Sequence, residues 1–190
     1  MILRAIVCLL LALLVALYSP AVLATKIIEM NPEELAVQAT EVVRGTVIRV
    51  GSFKNDSGTK IFTETIITVE ESYKGTAADE VRLVQLGGEV DGVRVTVHGA
   101  LNWTQGEEVV VFLEPYQDGS FHVAGFSQGK FKIERDPSTG RAFVTRPDLP
   151  EVELVGDDGH TPSQGQVVTR VSLDQFLAQA LGDDYVPRNR

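Results

Sequence analysis

Eight short segments rich in β-branched and aromatic residues fill the middle of the chain, with turn-forming sequences between them. Val, Ile, Thr and Phe suit a pleated, half-buried surface, and joints such as Asp118-Gly119 favour tight turns. Because no helical pattern separates the segments, the chain predicts a mainly β fold, an antiparallel sheet curled into a barrel or a sandwich. The segments are Glu41–Phe53, Lys60–Tyr73, Glu80–Leu86, Val93–His98, Glu108–Glu114, Phe121–Phe126, Lys130–Arg135 and Arg141–Arg146.

The fourth segment carries the clearest alternation of the chain. Val93, Val95 and Val97 are each followed by a polar residue. Since successive side chains of a strand point to opposite faces, the pattern predicts that these valines are buried and that their neighbours face solvent.

Two helices are predicted, one at each end of the β region. Asn31-Pro32-Glu33-Glu34 supplies a capping residue, a proline for the first helical position and the acid of a capping box. The second helix begins after the cap Ser172 and ends at Gly182. Both helices are expected to pack on the sheet through apolar residues, which are Leu35, Ala36 and Ala39 in the first and Leu173, Phe176, Leu177, Ala180 and Leu181 in the second.

The pattern weakens between the last β segment and the second helix. Prolines interrupt it at Pro147, Pro150 and Pro162. Val152–Val155 and Gln166–Val171 nevertheless have strand character and predict one more hairpin.

The first 24 residues have the pattern of a secretory signal peptide. Arg4 precedes an apolar run from Ala5 to Tyr18, and small residues lead to Ala24, after which cleavage is expected. The alternative, an uncleaved membrane anchor, is disfavoured because the run falls short of the roughly 20 residues that span a bilayer. We therefore expect a secreted or periplasmic protein with one β-rich domain at 25–182, a flexible tail at 183–190 and no stable membrane insertion after cleavage.

Charge and cysteine usage exclude several function classes for the mature chain. The one cysteine, Cys8, lies in the leader, so disulfides, thiolate metal sites and a cysteine nucleophile are excluded. Removal of Arg4 with the leader leaves 16 of the 17 Lys and Arg residues against 26 Asp and Glu, a net charge of −10. Such a charge repels phosphate backbones, which argues against nucleic acid as a partner.

Several phrases resemble a family of exported bacterial β-barrel domains of unknown function. They are Glu41 to Val47, Phe62-Thr63-Glu64, Val69 to Gly75, Gly88-Glu89-Val90, Gly106 to Leu113, Gln128 to Phe131 and Ser172 to Leu177. The phrase Gly106 to Leu113, after two long strands, is also similar to the OB-fold barrel of netrin-like and metalloprotease-inhibitor (TIMP-like) modules. These resemblances imply an OB-like barrel with a short helix at each end. The inhibitors bind the protease zinc through an amino-terminal cysteine, whereas the expected start here is Thr25, so their inhibitory residues are not carried over.

The pentapeptide Gly125-Phe126-Ser127-Gln128-Gly129 matches the G-x-S-x-G pattern of hydrolase nucleophiles. Asp157 and His160 follow in the order of an α/β-hydrolase triad. That motif requires a strand, a sharp turn and then a helix, whereas Lys130–Arg135 is predicted to be a strand. We therefore expect Ser127 to be a turn residue.

No cofactor or metal site is predicted. The three histidines, His98, His122 and His160, lack the spacing of zinc ligands and are expected at the surface or on edge strands. Asp157-Asp158 lies in an oxygen-rich loop where weak calcium binding stays open, although acids are common in turns for backbone reasons. Trp103, the single tryptophan, has two open interpretations, a core residue or an exposed anchor for a partner.

These observations favour a non-enzymatic binding or accessory module that acts on another exported protein. No set of residues assembles a nucleophile, a base and an orienting group, so no catalytic residue is assigned. Two alternatives stay open, an enzyme of unrecognised type centred on Ser127 and a structural component of the cell envelope. The sequence does not fix the ligand or the oligomeric state.

Overall fold

A computed structural model describes residues 25–146, 152–155 and 170–185 of the chain. Two α-helices are present there, α1 (Pro32–Gln38) and α2 (Leu173–Leu181). The strands are β1 (Thr25–Ile28), β2 (Glu41–Lys54), β3 (Ile61–Lys74), β4 (Glu80–Leu86), β5 (Gly88–Val90), β6 (Val93–Val95), β7 (Glu108–Pro115), β8 (Phe121–Val123), β9 (Lys130–Arg135), β10 (Ala142–Thr145), β11 (Val152–Val155) and β12 (Val171–Ser172). The signal peptide expected at 1–24 lies outside the described residues.

Five strands close into a barrel in the order β7-β2-β3-β4-β8. The β2, β3 and β4 strands form an antiparallel meander, and β2 also pairs with β7. The β8 strand pairs antiparallel with β7 and meets β4 in parallel, which closes the ring. The predicted mainly β fold with an OB-like barrel is confirmed.

The remaining strands extend or flank this barrel. From β7 the same sheet continues through β9 and β10 to the short β12. The β5 and β6 strands form a two-stranded hairpin, and β1 pairs in parallel with β11. The strand predicted at Val152–Val155 is present and pairs with β1. The hairpin predicted between it and Gln166–Val171 stays a prediction. Positions 166–169 lie outside the described residues.

The β7 strand separates two hydrophobic cores. Its sequence is apolar at five consecutive positions, and side chains on both of its faces are buried. The inner core fills the barrel, while the outer core lies between the sheet and the two helices. Inner residues include Val43, Val47, Ile67, Leu83, Val109, Val111, Leu113 and Val123, and outer residues include Leu35, Val42, Val110, Phe112, Phe131, Val144, Phe176 and Leu177.

Local sequence explains both helices of the outer core. Asn31 and Glu34 form the predicted capping box, each side chain accepting a hydrogen bond from the other residue's backbone N–H. Ser172 caps α2 by accepting from the Gln175 N–H, and Gly182 ends the helix with a positive φ. No helix within the described ranges is long and apolar enough to cross a membrane.

The alternation at Val93 and Val95 does not bury these side chains, which corrects the sequence expectation. Val93 is 54% exposed and Val95 is also exposed. The physical reason is that, among the described residues, β6 pairs with β5 alone and has all three of its side chains exposed. The strand also ends at Val95, so His98 lies in an exposed turn instead of a strand.

Gly45 in β2 provides a test of the barrel wall. A Cβ at this position would overlap the carbonyl oxygen of Thr68 and lie 2.7 Å from Ile67 Cγ2, whereas a Cβ at Gly51 on the same strand meets open space. We expect Gly45→Ala to lower the free energy of unfolding by about 2–3 kcal/mol, and Gly51→Ala to change it by less than about 1 kcal/mol. Urea denaturation followed by circular dichroism measures both, and equal effects would contradict the assigned register.

Tyr73 at the end of β3 makes stability sensitive to alkaline pH. Its hydroxyl donates to Glu71 Oε2 at 2.7 Å. Burial, together with this hydrogen bond, raises the pKa of Tyr73 well above its ordinary value. Above about pH 10 an unfolded tyrosine loses its proton while the folded one keeps it, so stability falls as pH rises.

Tyr73→Phe is the variant that isolates this effect. It removes the titrating group, so its unfolding free energy should decline less steeply than that of the wild type between about pH 9 and 11. Tyr185, whose pKa burial and Asp174 raise to about 12, is present in both proteins and cancels in the comparison. Parallel declines would show that Tyr73 does not titrate differently in the two states.

Candidate functional site

The seam of the barrel opens into a cleft. The β4 and β8 strands share one pair, Leu83 with Phe121, in parallel orientation, and no further pair between them follows in the described chain. Beyond that pair, Val84 to Leu86 line one side of the cleft, and His122, Val123 and Phe126 line the other. The cleft has a volume of about 230 Å³. We call it the seam cleft.

The floor of the seam cleft is continuous with the inner core, and its rim is apolar and exposed. Leu83, Leu101 and Val123 are buried in the wall. Large apolar side chains stand exposed at the rim, namely Leu86, Tyr116 and Phe126. Mouths of β-barrels are common ligand sites, and a wall of this composition suits an apolar group.

Trp103 lies in the cleft wall in a fixed orientation. Its Nε1–H donates to Gln85 Oε1 at 3.3 Å, and Gln85 Nε2 donates in turn to the carbonyl oxygen of Leu101 at 2.7 Å. The side chain is half-buried and packs against the inner core. Trp103 therefore has features of both interpretations, because it packs against the core and also lines the cleft.

Lys130 at the start of β9 holds the segment that carries Trp103. Its side chain is almost fully buried, and its Nζ donates to the carbonyl oxygen of Asn102 and to Glu107 Oε1, both at 2.6 Å. The ammonium also lies 4.2 Å from the centroid of the Trp103 ring. Burial lowers the pKa of Lys130, and the Glu107 carboxylate opposes this shift. A buried cation thus fixes one wall of the seam cleft.

Phe126 is the most exposed aromatic residue of the rim. It is 52% exposed and has a φ of 69°, in the left-handed region that bulky residues rarely adopt. Gln128, fully buried, fixes the same turn by accepting from the Met30 N–H at 2.9 Å and donating to the Ile28 carbonyl oxygen at 2.8 Å. The fold therefore holds a large apolar side chain in solvent at the cost of backbone strain.

Ser127 follows Phe126 but points away from solvent. The residue is buried, and its Oγ has no hydrogen-bond partner among the described residues. The chain continues from this turn into the β9 strand, as the sequence predicted, so the strand–turn–helix geometry of a nucleophile elbow is not formed here. Asp157 and His160, the other members of the sequence motif, lie outside the described residues.

Two polar groups in the cleft wall are left without partners. Thr65 is 1% exposed, and its Oγ1 makes no hydrogen bond within the part of the chain that the structure describes. The Nδ1 atom of His122 is likewise buried and unpaired there. His122 Nε2 lies 3.4 Å from Glu114 Oε2, and its ring packs edge-on against Tyr116. Both atoms are closed off from solvent, so neither is open to the cleft in this arrangement of the side chains.

A metal centre does not form from the described residues, which contain no cluster of three or more His, Cys, Asp or Glu side chains. His122 is in the seam cleft, and His98 is in an exposed turn. The calcium hypothesis for Asp157 and Asp158 concerns residues outside the described ranges.

Sequence reasoning identified Trp103 but not the cleft around it. One signal was readable in β3, where Thr63 and Thr65 share the inward face with Ile67. Polar residues at inward positions of a strand indicate where the apolar interior of a barrel ends. The opposing wall, from His122 to Phe126, gave no such signal because it was predicted to be one regular strand, whereas β8 ends at Val123.

No protein-family model matches the chain, and no curated protein matches it.

Proposed function

We propose that the protein is an exported, non-enzymatic binding module that captures an extended segment of another exported protein in the seam cleft. The observation that supports this proposal most directly is the divergence of β4 and β8 after one shared pair, at a site rimmed by exposed aromatic side chains. The leader predicted from the sequence at 1–24 is the reason for placing both partners outside the cytosol.

The backbone at the seam suits a polypeptide ligand. Residues Val84 to Leu86 remain paired with β3 on one edge, while the pairing of β4 with β8 in the described chain stops at Leu83. An extended segment placed along such an edge gains main-chain hydrogen bonds, and its alternate side chains enter neighbouring pockets. The seam cleft supplies a pocket of this kind beside the edge.

The rim supplies contact area for such a ligand. Tyr116, Phe126 and Leu86 are exposed around a concave site, and aromatic residues in this position dominate the energy of many interfaces. In OB-fold proteins the face of the second and third barrel strands binds ligands, which here correspond to β3 and β4. This analogy between folds supports only the location of the site and does not bear on the identity of its ligand.

Phe126→Gly is the sharpest test of the proposal. Glycine adopts a positive φ without strain, so the variant should fold with equal or higher stability, by up to about 1 kcal/mol. Loss of the exposed ring should reduce capture of the partner at least about ten-fold. Immobilised wild type and variant would be exposed to the exported protein fraction, with bound proteins quantified by mass spectrometry and the affinity then measured on the purified partner.

Val37→Ala is the matched control. Val37 is a large apolar residue of α1, 79% exposed and outside the cleft wall. Its truncation should leave both stability and capture unchanged. If Phe126→Gly and Val37→Ala capture the same proteins in the same amounts as the wild type, the seam cleft is not the binding site.

A further inference from the structure

We infer that two copies of the chain associate edge to edge through β6, so that β5, β6 and their counterparts form one four-stranded antiparallel sheet. The residues of this hairpin are not among those that line the seam cleft, so the inference is independent of the binding function proposed above. It rests on the open edge of β6, the symmetry of its sequence and the charge of the surface around it.

The free edge of β6 is open to a further strand. Among the described residues, β6 pairs with β5 alone. Asp91 and Gly92 form the loop between the two strands, and both have a positive φ, as in the type I′ turn of a tight hairpin. Such a loop makes Val90 and Val93 a hydrogen-bonded pair, so the alternation directs the N–H and C=O of Arg94 to the free edge. Exposed backbone groups of this kind are a template for pairing with another chain.

The β6 sequence, Val93-Arg94-Val95, reads the same in both directions, so the strand is complementary to a second copy of itself. A twofold axis beside Arg94 joins its N–H and C=O to those of the second Arg94 and sets each Val93 opposite a Val95. Val93 is 54% exposed and Val95 is 36% exposed, so the association buries apolar surface from four valines.

The charge of Arg94 is already neutralised within each copy. Its Nε and Nη2 both donate to Glu89 Oε2, at 2.8 and 2.6 Å. Because side chains alternate along a strand, this ion pair lies on the face of the hairpin opposite Val93 and Val95. The two arginines therefore meet as ion pairs and not as free cations, which reduces their repulsion.

The end of the barrel that carries the hairpin is neutral, although the mature chain is acidic. Residues 48–64 and 83–98 contain four Lys and Arg and four Asp and Glu, so the rest of the mature chain holds the whole net charge of −10. Two copies that meet at this end keep their acidic surfaces apart, whereas contacts elsewhere would bring like charges together. The charge distribution therefore favours a second copy at the hairpin.

The position of β5 limits the assembly to two copies. The Glu89 N–H donates to Ser52 Oγ at 3.3 Å, and a Cβ at Gly88 would lie 2.4 Å from the same oxygen, so β5 lies against the end of β2. Pairing about a twofold axis then closes after two copies. Three residues from each copy form a contact well below the roughly 1,200 Å² of stable interfaces, so we expect a dissociation constant on the order of 100 µM.

Sedimentation velocity of the mature chain between about 10 and 500 µM tests the association. Arg94→Pro is the decisive variant, because it removes the outward N–H and leaves the hydrogen bonds between β5 and β6 intact. It should weaken dimerisation at least about ten-fold. Arg94→Thr is the matched control, since it also loses the ion pair with Glu89 but keeps the N–H in a residue that suits a strand. It should dimerise at least as tightly as the wild type.

Arg94→Cys gives a second measurement that does not depend on disrupting the hairpin. The Cα atoms of a hydrogen-bonded antiparallel pair lie about 5.5 Å apart, which is within the range of disulfides. The mature chain has no cysteine of its own. With oxidised glutathione present, Arg94→Cys should form a disulfide-linked dimer at least about ten-fold faster than Val37→Cys, whose position on α1 is also exposed.

Three results would overturn the inference: a monomer at every concentration, larger assemblies in place of a dimer, or equal dimerisation of Arg94→Pro and the wild type. Loss of the dimer in Phe126→Gly but not in Arg94→Pro would also overturn it and would place the second copy at the seam cleft. A monomeric wild type whose Arg94→Pro variant no longer captures the exported partner would show that β6 pairs with a strand of another protein instead.

Discussion

Lys130→Met is expected to lower the free energy of unfolding by about 3–5 kcal/mol. Lys130 is 2% exposed and forms a buried ion pair with Glu107 at 2.6 Å. Removing the ammonium leaves the Glu107 carboxylate buried without its counter-charge, which is the costly way to break such a pair. Urea denaturation measures the loss, and the emission of Trp103 should shift because its segment loses the Lys130 contact.

The double variant Lys130→Met/Glu107→Leu separates two causes of instability, the unpaired carboxylate of Glu107 and the packing lost with the Lys130 side chain. Because it removes both charges, it should recover a large part of the stability that the single variant loses. Lys132→Met is the control, since Lys132 is a half-exposed residue of the same strand whose Glu134 pair at 3.6 Å contributes less than about 1 kcal/mol. A double variant as unstable as the single one would show that the charge of Glu107 is not the cause.

Phe176→Ala should have an effect of similar size, about 3–5 kcal/mol. The Phe176 ring is fully buried, with its centroid 4.5 Å from that of Phe131 and 6.1 Å from that of Phe112. Truncation leaves a cavity where α2 packs on the sheet, so lost burial and lost ring contacts add. Chemical denaturation of the purified variant gives the free-energy change.

Gln179→Ala on the exposed face of α2 is the control for helix content and should change stability by no more than about 0.5 kcal/mol. A loss below about 1 kcal/mol for Phe176→Ala would indicate that α2 contributes little to the fold. Retained capture of the partner by a destabilised but folded Phe176→Ala would further show that the outer core and the seam cleft act separately.

Features set by neighbouring residues could be predicted from the sequence. The capping box of Asn31 and Glu34 involves atoms three residues apart, and the helix it starts was placed correctly. The strands at Glu80–Leu86 and Lys130–Arg135 have the predicted bounds. In each case the deciding interactions are short-range or follow from a periodic pattern.

Features set by distant residues could not be predicted. The parallel contact of Leu83 with Phe121 closes the barrel and creates the cleft. The sequence around neither residue indicates that the two will pair. The Gln128 side chain hydrogen-bonds to residues nearly a hundred positions away, which gives its turn a role that the G-x-S-x-G pattern obscured. The exposure of Val93 depends on tertiary packing, since its hairpin is a two-stranded sheet whose β6 strand no other described element buries.

Because β7 is apolar on both faces, only the glutamates at its ends, Glu108 and Glu114, give polarity a part in fixing its alignment with its neighbours. In most half-exposed strands a slip by one residue would bring polar groups inside, and this penalty fixes the register. Here a slip would exchange one apolar side chain for another at four of the five buried positions, so side-chain bulk must discriminate there. Phe112 fits among the rings beneath α2, whereas a one-residue slip would direct it into the valine-lined interior of the barrel. The size of one phenylalanine side chain thus helps to fix the register, where most strands depend on the difference between buried apolar and exposed polar positions.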